Sequence, residues 1–420
     1  MRKIQLLFVA FVLFASTMLF SACAAPQPRT VSFMVFGSPE ELQAYQTLVA
    51  AFEKQNPGIK IDLIHIPDEG DFGARLNADL AAGTPANVVL LNYREYANFA
   101  QKGALEPVQS YLYKSTLIKP DDFYAEAMQP YIWRQQLTCL PQNISSLVVY
   151  YNKNLFDAAS MPYPTAAWTW DDFLNAAQAI TKADMDQYGV GVSPSLIRVA
   201  PFIWQNGGEL VNSPQATSLL MGTPEAREAL QWFTDLQVKH HVVPDATAEK
   251  AEDDESRFTN GRLGMYLNSR KTVPTFRTIT NFDWDVAPLP VGKFPTTILH
   301  SDGYCMTAAT KDKDATWKFI EFANAVEGQK IIAGTGRTVP SLKSVAESDA
   351  FLDPGAKPAN SRVWLDVIPS IRAVPTLTNW ADIEETANSE LKRAFYGTAS
   401  LDDVIKAIVD RSAPFFTETD

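Results

Sequence analysis

Histidine and cysteine are scarce in this chain, with four of the first and three of the second in 420 residues. Two of the histidines, His240 and His241, are adjacent, so their side chains diverge from either a helix or a strand and cannot share one metal. Asp184-Met185-Asp186-Gln187-Tyr188-Gly189 opens like a calcium loop, but its twelfth position is Ser195 rather than Glu. Gly189-Val190-Gly191 and Gly334-Thr335-Gly336 lack the rest of any phosphate-binding loop, so neither a metal nor a cofactor is expected. Dense Lys/Arg blocks are missing too, and the net charge of -12 argues against a nucleic-acid partner. Past residue 20 nothing approaches the roughly 18 apolar residues a membrane helix needs. No internal repeat or low-complexity run is present.

The first thirty residues are distinctive. Arg2 and Lys3 precede an apolar run, Ile4 to Phe20, which ends at Ser21-Ala22-Cys23, the form of an export signal. The stretch resembles a bacterial lipoprotein signal, which implies a signal peptide over 1–22, a lipid on Cys23 and a short tether over 23–30 containing Pro26 and Pro28. Two or more acyl chains anchor stably where one does not. The expectation is a soluble domain exported and held by lipid on the outer face of the cell membrane, or periplasmic. The roughly 390 residues that follow exceed one ordinary core and suit two lobes. An apolar fraction of 46%, with 24 Phe, 14 Tyr and 9 Trp, leaves aromatics available for a binding cleft. In an oxidising compartment Cys139 and Cys305 either pair or remain two buried thiols, and the sequence leaves both open.

Local patterns build a parallel sheet. Val31 to Phe36 has strand length, and Ser38-Pro39-Glu40-Glu41 supplies an N-cap, a first-turn proline and a capping-box glutamate. Leu42, Tyr45, Val49 and Phe52 recur on one helical face until Asn56-Pro57-Gly58. A strand over Ile59 to Ile66, a helix carrying Phe72, Leu76 and Leu80, and a strand over Val88 to Leu91 complete the repeating plan. Further on, strands are expected at Leu147 to Tyr151 and Trp284 to Leu289, and helices at Trp170 to Ile180, Glu225 to Val238 and Ala315 to Ala325. The acidic run Glu252 to Glu255 reads as a solvated face.

Pro141-Gln142-Asn143-Ile144-Ser145-Ser146-Leu147-Val148-Val149-Tyr150-Tyr151-Asn152-Lys153, followed by Leu155-Phe156 and Thr169-Trp170-Asp171-Asp172-Phe173, resembles the extracellular solute-binding proteins of ABC importers that take sugars and glycerol-3-phosphate. Asn56-Pro57-Gly58, Ala81-Ala82-Gly83-Thr84-Pro85, Gly261-Arg262-Leu263-Gly264-Met265, Pro288-Leu289-Pro290 and Gly334 to Pro340 follow in the family's order. The resemblance implies a type II periplasmic-binding-protein-like α/β fold. Its two lobes would each be a mostly parallel sheet flanked by helices, joined by crossover hinge strands and closing on ligand. It places an N-terminal lobe over 31–143 and 295–337 and a C-terminal lobe over 144–294 and 338–420, with crossings near Gln142 to Ser146, Pro290 to Pro295 and Arg337 to Ser341.

A sugar site needs flat aromatics and converging hydrogen-bonding side chains. Trp204, beside Gly207 and Gly208, stands where the family commonly stacks on a sugar. Phe36 and Ser38 follow the first strand, Asp71 and Phe72 the second, and Asn92 and Tyr93 the third, at the carboxyl ends where open sheets bind ligands. Ser145 lies on the first crossing, Asn268, Ser269 and Arg270 follow the Gly-Arg-Leu-Gly-Met turn, and Asp302-Gly303 leads back to the first lobe. Arg337 and Trp380 match late family regions that touch ligand.

The expected function is a non-enzymatic, monomeric receptor that captures a mono- or oligosaccharide and delivers it to a membrane permease. Glycerol-3-phosphate or another phosphorylated polyol is the alternative ligand, gripped by Arg337 with Arg270. A glycan-active enzyme would instead pair Asp302 with Glu40 or Glu209 across the cleft.

Overall fold

The computed structural model describes residues 28–212 and 216–417. The export signal, Cys23 and most of the tether lie outside them. The tether ends earlier than expected: Arg29 and Thr30 already belong to strand β1 (Arg29–Phe36), where Arg29 donates its N–H to Gly58 O and its guanidinium to Asp312.

From β1 the chain forms helix α1 (Pro39–Gln55), strand β2 (Ile59–Ile66), helix α2 (Glu69–Ala81) and strand β3 (Val88–Asn92). The capping box read from Ser38 and Glu41 is present, with Glu41 Oε2 accepting from Ser38 N at 2.8 Å. Strands run in the order β2, β1, β3, 302–307, 105–106, the first three parallel and 302–307 antiparallel to β3, with 139–141 also against 302–307. Beneath them Phe33, Tyr45, Phe52, Tyr304 and Phe319 pack edge to face or tilted, a buried aromatic centre for the first lobe.

The second sheet runs 188–191, 263–268, 148–152, 284–287. It is more mixed than expected: one neighbouring pair is parallel and two are antiparallel, because 148–152 returns against both 263–268 and 284–287. Its buried Tyr150 sits among Phe258, Tyr266, Phe276, Trp284 and Trp364. Burial of this aromatic cluster stabilises that side at about 25 cal/mol per Å² of apolar surface.

Between the sheets lies a small third one, in which 145–146 and 371–372 flank 297–300. Ile144 N donates to Val339 O at 2.9 Å, so a third segment runs beside these strands. The chain thus passes between the sheets within 141–148, within 287–302 and near 339. Cys139 and Cys305, facing each other across neighbouring strands of the first sheet, form a disulfide. The acidic run departs from a solvated face: Asp254 is 5% exposed, and Glu252 accepts from Arg262 and Asn260. Among the described residues no helix is long and apolar enough to cross a membrane.

Candidate functional site: a charged cleft between the lobes

Where the carboxyl ends of β1 and β3 meet the crossing segments and the second lobe, a cavity of about 210 Å³ opens. Seven residues expected at the site line it: Phe36, Asn92, Ser145, Asn268, Ser269, Asp302 and Arg337. Its charge is the unexpected part. Glu41, Glu69, Arg94, Arg198, Lys271 and His300 join them.

Each is placed by local structure. Glu41 reaches back from the first turn of α1 to its cap and pairs through Oε1 with Arg337 Nε at 2.6 Å, while Arg337 also donates to Lys271 O at 3.2 Å. The cap therefore ties the start of the first helix to the late loop. Asn92, closing β3, donates to Asp302 Oδ1 at 3.0 Å and accepts from Arg94 Nε at 3.1 Å; Arg94 continues to Glu384. Burial, then the like charges of Glu69 and Glu41, push the Asp302 carboxyl up to about 6. Glu69, in the first turn of α2, is raised by burial and by Glu95.

On the opposite wall Arg198 enters from the helix Leu196–Gln205, 9% exposed, donating to Asn268 Oδ1 at 3.0 Å and lying 3.5 Å from His300 Nε2. Burial, with Arg198, Arg94 and Lys271 around it, holds His300 well below its ordinary pKa, so its imidazole is neutral at neutral pH. Asn268 is fixed in turn by Ser269 N at 2.8 Å and by donating to Tyr266 Oη at 2.5 Å. Ser145 Oγ accepts from Arg270 N at 3.3 Å, stitching a crossing strand to the second lobe.

The other expected site residues lie elsewhere. Trp204 is 3% exposed and covered by the Arg372 guanidinium, 4.7 Å from its ring centroid; its helix turns Ile197 and Arg198 to the cavity instead. Trp380 is buried against Glu384, and Tyr93 is buried with its hydroxyl at Val374 N. Ser38 is engaged as the cap, Asp71 is an exposed first-turn residue whose N–H caps on Asp68, and Phe72 packs on Phe36 with centroids 5.2 Å apart. Gly303 is where close packing forbids a side chain, since a Cβ would come 2.8 Å from the Tyr131 ring. Arg270 is a core residue between Phe351 and Trp364, and burial pushes its pKa down to about 9. Of the carboxylates expected to pair with Asp302, Glu209 binds Arg372 at the surface and neither it nor Glu40 lines the cavity.

Arg198 carried a legible signal: a single cation inside the apolar run Leu196 to Ile203. Glu69 and Lys271 carried none that separates them from surface charges. The two largest of the other cavities have other characters. One of about 520 Å³ behind the crossings is lined largely by aliphatic and proline side chains such as Pro288, Val291 and Val363. The other, about 560 Å³, is an acidic depression around Glu249, Asp253 and Glu255. Among the described residues no group of three metal-ligating side chains occurs.

The chain matches the model of bacterial extracellular solute-binding proteins over residues 37–330. It is 22% identical to the mannitol-binding protein of Pseudomonas aeruginosa over 400 residues, covering 88% of this chain and 89% of that one. The ABC substrate-binding protein Lmo0181 of Listeria monocytogenes, solved in complex with cycloalternan, superposes with a TM-score of 0.85 at 26% identity, covering 92% of this chain and 98% of that one. A solute-binding protein of Thermotoga lettingae bound to alpha-D-tagatose gives 0.81 at 20% identity over 92% and 100% of the two chains. The chain belongs to the bacterial extracellular solute-binding proteins, a family of binding proteins.

Proposed function

We propose that this protein captures a carbohydrate in the cleft between its lobes and delivers it to an ABC permease. The observation that carries the reading is the lining of one polar cavity by both lobes: Phe36, Asn92 and Asp302 from one side, Arg198 and Ser269 from the other. A polyol held by both walls stabilises the closed arrangement over the open one, and the permease then meets a closed, loaded receptor. The lobes are proposed to divide at 143–144, 294–295 and 337–338. Lipidation at Cys23 and a monomeric state complete the proposal, the lipid keeping the receptor beside its permease.

The mixed charges suit hydroxyl chemistry. Each sugar hydroxyl donates one hydrogen bond and accepts others, so Asp302 and Glu69 take donated protons while Arg198, Lys271 and Asn92 donate back. At about 210 Å³ the cavity lies below the usual range for drug-sized ligands, which favours a mono- or disaccharide in this arrangement. A calorimetric and thermal-shift screen of the purified protein against mono- and oligosaccharides tests the reading, because a ligand bound only by the folded state raises the Tm. Micromolar or tighter binding of a sugar is expected; the absence of any sugar response at 10 mM (about a 2.7 kcal/mol bound on affinity) overturns it.

A further inference from the structure

We infer that the ligand of this cleft is a hydroxylated carboxylate, a uronic or aldonic acid, with its carboxylate on Arg198 and its hydroxyls toward Asp302 and Glu69. The inference rests on the carbohydrate reading above and narrows it.

The argument is a pairing of charges around one cavity. Arg337 is satisfied by Glu41, and Arg94 by Glu384. That leaves Arg198 and Lys271, neither of which is paired with a carboxylate among the described residues. Arg198 is the demanding one. It is nine-tenths buried, and its two recorded neighbours through the guanidinium are an amide oxygen at 3.0 Å and a neutral imidazole nitrogen at 3.5 Å. A guanidinium has five N–H donors and is not deprotonated in a protein, so burial without a counter-charge costs several kcal/mol unless an anion arrives. The planar fork matches a carboxylate with two parallel hydrogen bonds. His300 and Arg94 beside it carry no negative charge to compete.

The opposite wall sets the ligand's other end and its total charge. Asp302 and Glu69 face the same cavity, and among the described residues neither forms a salt bridge. Their carboxylates accept from hydroxyls and repel a second negative charge. A phosphate monoester, close to a dianion at neutral pH, meets that repulsion in full; a monoanion oriented toward Arg198 meets much less of it.

The test is titration calorimetry on the purified protein with matched pairs: glucose against glucuronate, galactose against galacturonate, and glycerol-3-phosphate and glucose-6-phosphate as the phosphate arm. One uronate or aldonate is expected to bind about 100-fold more tightly than its neutral parent, the size of a buried charge-assisted pair. Arg198→Gln should weaken the neutral parent too, since the guanidinium also donates to hydroxyls, but weaken the acid far more, collapsing the 100-fold preference to about 5-fold or less. Arg198→Lys, which keeps the charge and loses the fork, should retain part of it and covers the case in which the glutamine variant does not fold. A neutral sugar bound as tightly as its acid overturns this inference and leaves carbohydrate capture standing. Tighter binding of a phosphate ester overturns the assignment of a carboxylate. Failure of every sugar, acidic or neutral, overturns the carbohydrate reading itself.

Discussion

Reduction of the Cys139–Cys305 disulfide offers a sharp measure of how this two-lobed chain holds together. The bond closes a loop with a sequence separation of 166, and every strand of the second sheet lies inside that loop. The first segment of the second lobe, with its whole sheet, is thus an insertion whose entry and exit are clipped together on neighbouring strands of the first sheet. If both lobes unfold in one step, the unfolded reference is the whole open loop, and chain entropy predicts about 5 kcal/mol of stabilisation. If the first lobe unfolds while the second stays folded, the second lobe already holds the loop ends near each other. The effective loop is then a few tens of residues at most, and the contribution falls to about 3 kcal/mol.

Both sulfurs are fully buried, so reductant must act on unfolded protein. The chain is therefore reduced in denaturant, refolded in reductant and compared with the oxidised form by urea unfolding and calorimetry. For a chain of this size the melting entropy is roughly 0.8 kcal/mol per kelvin, so a one-step unfolding should lose about 6 °C. Comparing dithiol with disulfide keeps the sulfur atoms in place and avoids a cavity term that Cys→Ala variants would add. A loss below about 1 kcal/mol would refute the reasoning, since neither unfolding route gives so little.

Three further perturbations follow from named contacts. Glu384→Gln removes the partner of Arg94 while Trp380 Nε1, 3.1 Å from Glu384 Oε2, keeps its acceptor; with Arg94 partly exposed, urea titration should show a loss of about 2–4 kcal/mol. Gly189→Ala would place a Cβ 2.2 Å from Ala177 O and 2.5 Å from its Cα, contacts with helix backbone that cannot rotate away, so a loss of about 3 kcal/mol or more is expected in the same assay. Asp302, raised in the folded state to about 6, contributes stability that is fully present below its unfolded pKa near 4 and is lost as pH rises through about 6; Asp302→Asn should therefore raise the Tm at pH 8 while weakening ligand binding, and wild-type affinity for a hydroxyl-bearing ligand should fall as pH drops below 6.

Much of the first lobe was legible because its signals are local. Ser38 with Glu41, the stripe of Tyr45 and Phe52, and the stop at Asn56-Pro57-Gly58 fix α1 within a few residues. The second sheet was harder. Its strands 148–152, 188–191, 263–268 and 284–287 are far apart in sequence, and nothing in a buried apolar run states whether its neighbour runs with or against it. Site residues divided along the same line. Phe36, Asn92 and Asp302 sit at strand ends, which topology brings to one edge. Trp204 and Trp380 were attractive as aromatics, but an indole that fills a core looks the same in sequence as one that stacks on a sugar. Arg198 is the converse, a charge whose place inside the apolar run Leu196 to Ile203 signals burial, while only tertiary packing decides that it faces the cavity.

The placement of charge suggests how closing and binding are coupled. Glu69 and Asp302 stand on elements of the first lobe, Arg198 and Lys271 on elements of the second, so an empty cleft faces opposite charges across solvent. That attraction favours approach of the walls, yet full contact would strip water from four charged groups and leave their geometry poor, a balance that buried ion pairs often lose. A ligand with hydroxyls at one end and an anionic group at the other satisfies each wall by itself. It replaces water on both carboxylates and on the guanidinium without asking the walls to pair with each other. Closure then becomes favourable only when the ligand supplies both kinds of group, which makes the unpaired charges a source of selectivity as well as affinity.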